Sequence, residues 1–350
     1  MESLLREWDG ETVIVRYDRP TGAWVFIAIH STRLGPGAGG TRMKPYSDVQ
    51  AALQDAFRLA AGMSYKFATA GIPFGGAKAV IAIPPDVDPQ SRAALLRRYG
   101  AVVHQLNGLF STGPDVGTSA ADMDIIAETG APYVFGRTSA AGGGGSTGPF
   151  TALGVFTGIQ VACEHLFGEA SLRGRRVLVQ GAGSVGGTLI EHLRAADAEV
   201  MFSEVDKNAI RSFRDELGLK FVSSEAAYTT ECDIFAPCAL GGLFNANTIP
   251  RLKCRVVAGG ANNQLASPKD AESLRDRGIL YAPDYVINVG GAMAILGLET
   301  QGWTQDRAEK EVVEGVRQAL RHVFELAATQ GITTDAAAHQ IAEKRLSAAK

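Results

Sequence analysis

The sequence predicts an α/β protein of two domains, the second of them a doubly wound parallel sheet. The chain has 350 residues, of which 46% are hydrophobic, and this is enough for two cores of ordinary size. Consecutive glycines at 142–145 mark the clearest linker, which we place at 137–148. After the linker, short apolar strands alternate with helical patterns, a rhythm that is typical of βαβ units.

Before the linker, the chain is predicted to combine a hairpin with a further strand. Runs of β-forming residues at 13–17 and 24–30 are joined by a Pro-Thr-Gly turn, which predicts a β-hairpin. Residues 79–83 have the composition of a buried strand. Two segments rich in glycine, 35–42 and 111–118, are predicted to interrupt regular structure as loops.

Three helices of this first half have recognisable start signals. Asp48 is placed to cap a helix that leads to Lys66, and Asp88 stands before a proline that suits the first turn of a second helix. Ser119 and Asp122 have the spacing of a capping box. We therefore expect a helix to begin at each of these positions.

The second half is predicted to alternate strands and helices as far as residue 281, and to be helical from Thr304 onward. No internal repeat is apparent. The predicted elements are strands 177–180 and 199–203, helix 207–217, strands 219–222, 233–236 and 255–258, helix 267–277 and strand 279–281.

A glycine-rich fingerprint joins the first two of these strands. Gly181, Gly183 and Gly186 follow strand 177–180 and open a helix, and Glu204 ends the next strand. Glycines at these places permit the tight turn, the approach of a pyrophosphate to the helix N-terminus and close helix–strand packing. A carboxylate at the ribose repels a 2′-phosphate, so NAD is predicted over NADP. The predicted cofactor contacts of this segment are Gly181, Gly183, Ser184, Val185, Gly186 and Glu204.

Two lysines stand in an apolar, glycine-rich stretch at residues 62–81. Lys66 closes a helical pattern, and Lys78 opens the strand 79–83 after a Gly-Gly bend. Two ammonium groups held close together in a dry cleft lower each other's proton affinity, which leaves one to bind a carboxylate and one to act as a base. The alternative is that both are surface lysines whose stems lie over apolar neighbours.

Charge and composition exclude several classes of protein. A net charge of −3 and a pI of about 6.1 offer no general attraction to nucleic acid or to anionic membranes. We expect no apolar run long enough to span a bilayer, and the N-terminus is too charged for a signal peptide. The four cysteines show no Cys-x-x-Cys spacing. We therefore predict reduced, buried thiols in a cytoplasmic protein that has no metal site.

Several longer motifs resemble those of a known enzyme family. They are Gly-Pro-x-x-Gly-Gly-Thr-Arg at 35–42, Gly-Gly-x-Lys-Ala-Val at 75–80, and the segments 113–116, 236–242, 261–264 and 281–291. Together they resemble the leucine/phenylalanine/valine branch of the amino-acid dehydrogenases, from about Trp8 to near the C-terminus. The resemblance implies reversible, NAD-dependent oxidative deamination of an L-amino acid to a 2-oxo acid and ammonia.

The resemblance also implies an architecture. It pairs an N-terminal α/β substrate domain with a Rossmann-type dinucleotide-binding domain, and it places the active site in the cleft between them. We accordingly predict a substrate domain at 1–137, completed by C-terminal helices at 317–350, and an NAD-binding domain at 138–316. We also predict a homo-oligomer of two or more subunits.

Residue roles follow from the resemblance position by position. Lys78 matches the catalytic lysine, Asp115 the acid that handles protons at the substrate nitrogen, and Lys66 the lysine that binds the substrate carboxylate. The substrate-binding positions that it implies in addition are Gly39, Gly40, Ala38, Asn262, Asn288 and Ala292. The further cofactor-binding positions are Thr151, near the nicotinamide carboxamide, and Ala236, Pro237, Cys238, Ala258 and Asn262.

The chemistry of these side chains agrees with the roles that the family implies. Asp115 can take a proton from the substrate ammonium, which must become a neutral amine before hydride leaves Cα. Lys78, as a free amine, can deprotonate the water that attacks the resulting iminium. The alternative for Asp115 is a carboxylate that bonds its own turn. Asn262 could equally be a turn residue.

The substrate side chain is predicted from two small residues. Ala38 occupies the place where glutamate-specific relatives have a lysine, and a glutamate carboxylate buried without a cation is costly. Ala38 and Ala292 are also smaller than their counterparts in leucine dehydrogenases, which predicts room for an aromatic ring as in phenylalanine dehydrogenase. Phe67, Phe74 and Met293 could instead fill that space.

Other functions compete with this one. A branched-chain dehydrogenase acting on leucine or valine is the first alternative. A malic-enzyme-like or quinate/shikimate-type NAD(P) oxidoreductase shares the dinucleotide fold, but the lysine pair with Asp115 argues against it. A catalytically inactive NAD-binding regulator requires a missing catalytic side chain, whereas Lys66, Lys78 and Asp115 are all present.

Overall fold

The structure is a computed structural model that describes residues 2–239 and 241–349, without the side chains of residues 2 and 3. Leu240, part of the predicted motif 236–242, and residues 1 and 350, which end the predicted substrate domain, lie outside this described part. The chain divides into two compact units. The first comprises residues 1–146, 295–304 and 342–350, and the second comprises residues 147–294 and 305–341.

Strands and helices alternate through most of the described residues. The strands are β1 (Thr12–Asp18), β2 (Ala23–Ser31), β3 (Gly37–Lys44), β4 (Gly75–Ala82), β5 (Phe110–Pro114), β6 (Arg176–Gln180), β7 (Glu199–Ser203), β8 (Lys220–Phe221), β9 (Ile234–Pro237), β10 (Val256–Val257) and β11 (Leu280–Tyr281). The helices are α1 (Glu2–Trp8), α2 (Val49–Ala70), α3 (Pro89–Gln105), α4 (Ala120–Gly130), α5 (Gly148–Phe167), α6 (Ser184–Ala195), α7 (Lys207–Arg211), α8 (Lys269–Asp276), α9 (Asp284–Ile287), α10 (Gly290–Thr300), α11 (Gln305–Gln330) and α12 (Thr334–Ala348).

The first unit contains a mixed sheet with the strand order β1-β2-β4-β3-β5 in the described chain. The hairpin β1–β2 is antiparallel, β2 pairs antiparallel with β4, and β3 runs parallel to both β4 and β5. One face packs against α3 and α4, and its apolar core includes Leu95 and Tyr99 of α3 and Ile126 of α4. The other face packs against α2 through Val80 and Phe57. The sheet is therefore covered by helices on both faces, as its buried central strands require.

Most of the two segments predicted to be loops is strand, whereas residues 35–36 and 115–118 are irregular as predicted. Residues 37–44 form β3 inside the sheet, and residues 110–114 form β5 at its edge. Their glycines are needed because neighbouring backbone is too close for a side chain: a Cβ atom on Gly39 would lie 1.8 Å from the carbonyl oxygen of Ala77. For residues 37–42 and 111–114 the prediction of irregular structure was wrong, because it took these glycines as turn signals rather than as sites of close strand contact.

The predicted helix starts are confirmed. The Asp48 side chain accepts a hydrogen bond from the backbone N–H of Ala51 at the start of α2. The Asp88 side chain caps α3 at the N–H groups of residues 90 and 91. Ser119 and Asp122 form both bonds of a capping box at α4. These are local signals, which depend only on residues a few positions apart.

The second unit contains a parallel sheet with the strand order β11-β10-β9-β6-β7-β8 among the described residues. The chain first adds β7 and β8 on one side of β6, and then returns to add β9, β10 and β11 on the other. This reversal makes the carboxyl ends of β6 and β9 a topological switch point, where doubly wound sheets bind ligands. The prediction of an α/β fold with a Rossmann-like second domain is confirmed.

One described helix contradicts the expectation about apolar runs. Helix α5 has 20 residues and is long and apolar enough to cross a membrane by length and composition. However, more than half of it is buried, and it packs against α6 and α11 in the second unit. Residues such as Val155, Ile159 and Ala162 are fully buried. It is a core helix.

The division of the chain differs from the predicted domain limits in the C-terminal helices. We predicted that residues 317–350 complete the first domain, whereas only 342–350 of this stretch group with it. The reason is that α11 packs along α5, and Arg321 of α11 forms an ion pair with Glu164 of α5 at 2.7 Å. In addition, residues 295–304 group with the first unit.

Candidate active site

The candidate catalytic pair lies in the first unit. Lys78 is on β4 and is only 6% exposed, and Asp115 follows directly after β5. Lys78 Nζ lies 3.3 Å from Asp115 Oδ2. An amine and a carboxylate that meet in a largely buried place can exchange protons with a bound molecule without competition from bulk water.

Glycines allow these two groups to approach each other. Strand β3 lies between β4, which carries Lys78, and β5, which Asp115 follows. The two side chains must therefore meet across β3. A Cβ atom on Gly40 would lie 2.6 Å from the Pro114 carbonyl oxygen and 3.0 Å from Asp115 Cβ. A side chain at this position would push the Asp115 segment away. The predicted roles of Gly39 and Gly40 beside a substrate stay predictions, but their steric role in the sheet is clear.

Ala38 and Lys78 face the same side of the sheet. Val80 packs under α2, and alternate residues of a strand share a face, so Lys78 also faces α2. Ala38 pairs with Gly76, two residues before Lys78, and is fully buried on that side. This places the predicted pocket residue on the face that carries the candidate catalytic lysine.

Lys66 is carried by the helix that covers this face. A Cβ atom on Gly76 would lie 2.1 Å from the backbone nitrogen of Ser64, so α2 and β4 are in direct contact there. Lys66 is half-buried, two residues after Ser64. The two lysines therefore lie on elements that touch, and the prediction that their side chains lie close together stays a prediction. The role of Lys66 in binding a carboxylate stays a prediction.

Three polar side chains around Asp115 were not predicted as functional. Arg42 Nε donates to Asp115 Oδ2 at 2.9 Å, and Arg42 Nη1 donates to Asp55 Oδ2 at 3.1 Å. The Tyr46 hydroxyl also donates to Asp55 Oδ2, at 2.7 Å. The signal that could have found this cluster is an arginine in an otherwise buried strand, because buried arginines need anionic partners.

The charge of Asp115 is set by its neighbours. Burial raises the pKa of the Asp115 carboxyl, but the attraction of Lys78 and Arg42, together with hydrogen bonds from both, outweighs burial and lowers this pKa below its usual value. The carboxylate is consequently ionised at neutral pH and able to accept a proton.

The glycine-rich segment of the second unit has the geometry of a phosphate cradle. Gly181 adopts a left-handed φ of 89° after β6, which favours glycine. A Cβ atom on Gly186 would lie 1.8 Å from the Gly181 carbonyl oxygen, so the turn and α6 pack closely. At Gly183, Ser184 and Val185 the first turn of α6 is exposed or half-buried, and in the described chain no side chain caps it. These features fit the pyrophosphate of a dinucleotide.

Glu204 ties this cradle to the end of β7. One carboxylate oxygen, Oε2, accepts the N–H of Ala182 at 2.7 Å, and the other, Oε1, accepts those of Val205 and Asp206 at 2.6 and 3.1 Å. Burial raises the pKa of Glu204, but these bonds outweigh it and the pKa is lowered. The ionised carboxylate still has a free lone pair on Oε2, because each oxygen accepts two bonds.

The other predicted cofactor residues lie along the same edge of the sheet. Ala236 and Pro237 end β9, with Cys238 directly after them, and Ala258 directly follows β10. Burial raises the pKa of the Cys238 thiol to about 11, so this thiol is neutral. These residues surround the switch point beside Gly181.

Two predicted asparagines are bonded to each other in this unit. Asn288 Nδ2 donates to Asn262 Oδ1 at 2.9 Å and to the carbonyl oxygen of Gly260 at 3.2 Å. Asn288 is buried and Asn262 is exposed. The buried amide thus holds the exposed one in a fixed orientation, which is what a substrate or cofactor contact needs.

Thr151 and Ala292 lie on neighbouring helices of the second unit. Thr151 is on α5, and its hydroxyl donates to the carbonyl oxygen of Thr147. A Cβ atom on Gly291 would lie 2.4 Å from Thr151 Oγ1, so α10 begins against α5 there. Ala292 is half-buried. The roles predicted for Thr151 and Ala292 stay predictions.

Comparison with known proteins adds independent findings. The Glu/Leu/Phe/Val dehydrogenase dimerisation domain matches residues 14–131, and the Glutamate/Leucine/Phenylalanine/Valine dehydrogenase domain matches residues 198–350. Leucine dehydrogenase of Bacillus cereus is 42% identical over 346 residues, which are 99% of this chain and 93% of that protein. Valine dehydrogenase of Streptomyces albus is 42% identical over 343 residues, which are 97% of this chain and 93% of that protein.

A solved structure is similar along the whole chain. The crystal structure of L-tryptophan dehydrogenase from Nostoc punctiforme matches with a TM-score of 0.84 and 39% identity, covering 100% of this chain and 99% of that one. The similar proteins thus include enzymes named for aliphatic and for aromatic amino acids.

Proposed function

The chain belongs to the Glu/Leu/Phe/Val dehydrogenase family, whose members are NAD(P)-dependent amino-acid dehydrogenases, and on that premise we propose that it oxidatively deaminates an aromatic L-amino acid with NAD. The observation that carries the proposal is the buried Lys78–Asp115 pair, 3.3 Å apart. It supplies a proton acceptor for the amine and a base for water.

The first step is the removal of a proton from the substrate ammonium. Asp115 accepts this proton, since its pKa is low enough for it to be ionised and a neutral amine is needed to expel hydride from Cα. Bound NAD would accept that hydride. Lys66 would hold the substrate carboxylate as an ion pair.

The second step is hydrolysis of the iminium. Lys78, as a free amine, removes a proton from water as the water oxygen attacks Cα. The ammonium that results stabilises the oxygen of the carbinolamine. Asp115 returns the proton that it took in the first step to the nitrogen, the C–N bond breaks, and the hydroxyl proton passes to the departing ammonia, so that the 2-oxo acid remains.

NAD rather than NADP is proposed because of Glu204. Its carboxylate is ionised and fixed by three backbone N–H groups, so it cannot turn away from a 2′-phosphate without losing them. We expect kcat/KM with NAD to exceed that with NADP at least about 100-fold, a difference that the repulsion between two like charges in contact can supply. Steady-state kinetics with both nucleotides measure this ratio.

Glu204→Gln provides the matched variant for cofactor choice. It keeps the shape and an acceptor oxygen but removes the charge, so the preference for NAD should fall. Asp206→Asn, which changes a neighbouring carboxylate that caps α7, is the control and should leave the preference largely intact. Equal use of both nucleotides by the unaltered enzyme would contradict the role of Glu204.

The aromatic preference is proposed from Ala38. This fully buried alanine lies on the face of the sheet that carries Lys78, and a small residue there leaves space for a ring. We expect Ala38→Leu to move the preference from phenylalanine toward leucine by about 10–200-fold, since a few methylenes in an apolar pocket are worth ~1–3 kcal/mol. The measurement is the ratio of kcat/KM values for the two amino acids.

A matched control tests whether the position or merely the added volume matters. Ala23→Leu introduces the same bulk into β2, in the core on the opposite face of the sheet, and should reduce stability without changing the substrate ratio. If Ala38→Leu keeps the phenylalanine-to-leucine ratio of the unaltered enzyme, Ala38 does not line the side-chain pocket.

A branched-chain dehydrogenase is the second candidate function. The observation in its favour is the 42% identity to leucine and valine dehydrogenases. A panel of L-amino acids, with NADH formation as the readout, separates the candidates. Phenylalanine, tyrosine or tryptophan should give the highest kcat/KM, glutamate almost none, and a maximum with valine or leucine would favour the second candidate.

A further inference from the structure

Arg42 connects the candidate catalytic pair to a second carboxylate. Its Nε donates to Asp115 Oδ2 at 2.9 Å and its Nη1 donates to Asp55 Oδ2 at 3.1 Å. The Arg42 and Asp115 side chains are 13% and 16% exposed. A guanidinium is planar and presents its donors in a fixed fork. The bond to Asp55 therefore sets the direction in which the Nε–H group points toward Asp115.

Asp55 accepts hydrogen bonds from two further side chains. The Tyr46 hydroxyl donates to Asp55 Oδ2 at 2.7 Å, and Arg58 donates to Asp55 Oδ1 at 2.7 Å. Burial and the bond to Asp55 raise the pKa of Tyr46 well above its usual value, so Tyr46 remains a donor at any working pH. The order Tyr46–Asp55–Arg42–Asp115 is a continuous chain of bonds that ends at the reacting groups.

We propose that the chain Tyr46–Asp55–Arg42 is a positioning device that keeps Asp115 oriented and ionised while Lys78 gains and loses its proton. The inference rests on the proposed function. Lys78 is neutral during part of that reaction, and a neutral amine no longer compensates the charge of Asp115. Arg42 does so throughout, because a guanidinium does not lose its proton in proteins. Arg42 is thus a positioning residue, which acts through Asp115.

The pH dependence of activity should reveal this role. Asp115 is contacted by Arg42 on β3 and by Lys78 on β4. The other ionisable groups on β3, α2 and α4 are Lys44, Asp55, Arg58, Tyr65, Lys66, Asp122, Asp124 and Glu128, and Tyr46 lies between β3 and α2. Since Arg42 lowers the pKa of Asp115, its removal raises that pKa. Activity needs ionised Asp115. As the solution is acidified, a variant without Arg42 should therefore lose activity at a higher pH than the unaltered enzyme does.

The test compares two variants that should shift the acid limb of the kcat–pH profile in opposite directions. Arg42→Gln should lower kcat about 100-fold, the effect of a misplaced catalytic group, with KM for the amino acid little changed, and should move the acid limb of the kcat–pH profile to higher pH. Asp55→Asn removes a negative charge instead, so it should move the same limb to lower pH. It should also lower kcat about 10-fold, because Arg42 loses its support.

Arg42→Lys separates charge from geometry. A lysine keeps the positive charge but cannot bond Asp115 and Asp55 in the fixed fork of a guanidinium. We expect the acid limb to return toward its original position while kcat stays well below that of the unaltered enzyme. Tyr46→Phe should lower kcat by a smaller factor, since only one bond to Asp55 is lost.

A matched ion pair in the same unit serves as the control. Arg98 binds Asp18 through two hydrogen bonds at 2.6 and 2.8 Å, and Asp18 is 3% exposed. Arg98→Gln should lower the melting temperature without changing kcat or the acid limb. If Arg42→Gln behaves in the same way as Arg98→Gln, Arg42 is merely structural and the proposal is overturned.

The outcomes distinguish this proposal from the proposed function. If the unaltered protein forms no NADH with any amino acid, the proposed function has failed before the variants are compared. If it is active and Asp55→Asn leaves both kcat and the acid limb unchanged, the positioning proposal alone has failed. Should Arg42→Gln not fold, the comparison of Asp55→Asn and Arg42→Lys with the unaltered enzyme decides the question.

Discussion

Replacing Lys78 by alanine is expected to reduce kcat at least about 1,000-fold, because it removes the base that activates water and the cation that stabilises the carbinolamine oxygen. Binding of NADH should be retained, since the glycine-rich cradle at residues 181–186 and Glu204 belong to the second unit. The measurements are kcat from steady-state kinetics and the Kd for NADH from fluorescence titration.

The fold should survive the loss of Lys78. Asp115 keeps its bond to Arg42, so the carboxylate is not left unpaired, and the loss of one charged hydrogen bond is about 1.5–3 kcal/mol. Lys78→Met keeps the apolar stem and should be equally inactive. Lys220→Ala, on the exposed strand β8, is the control with unchanged turnover. A kcat near that of the unaltered enzyme in Lys78→Met would refute the mechanism.

Replacing Asp115 by asparagine is expected to lower kcat by about 100–10,000-fold, the usual range for a lost general base. The amide occupies the same space but takes no proton from the substrate ammonium. The loss should be largest at the pH of maximal activity. In addition, the remaining acid limb of the profile should no longer report a carboxyl group. The kcat–pH profile of the variant is the measurement.

Stability offers a second readout for Asp115. Its pKa is lower in the folded protein than in the unfolded chain, so its ion pairs stabilise the fold above the unfolded pKa and lose this effect as pH falls through the folded pKa. The difference in melting temperature between the unaltered protein and Asp115→Asn should therefore shrink in acid. Asp18→Asn, which breaks the buried pair with Arg98, is the control: it should lose stability but keep kcat. Full activity of Asp115→Asn would remove Asp115 from the mechanism.

Local signals in the sequence were sufficient for much of the fold. The caps at Asp48 and Asp88 involve partners within three residues, and the hairpin needs only its own alternation and turn. The fingerprint around Gly181 is equally local, because one turn between a strand and a helix forms it. Lys78 and Asp115 were singled out from their context and from the family resemblance, and the structure brings them together.

Only the tertiary structure decided the features that depend on distant neighbours. The glycines of β3 resemble a loop until β4 and β5 lie on either side, where a Cβ atom on Gly39 would collide with Ala77. The fork of Arg42 joins Asp55 and Asp115, which are 13 and 73 residues away along the chain. By itself, the sequence determined the helix caps, the glycine-rich turn after β6 and the candidates for the reacting side chains. Packing decided which glycine-rich segments form strands and which cation accompanies the candidate catalytic carboxylate. The reason is that steric fit and ion pairing act through space rather than along the chain.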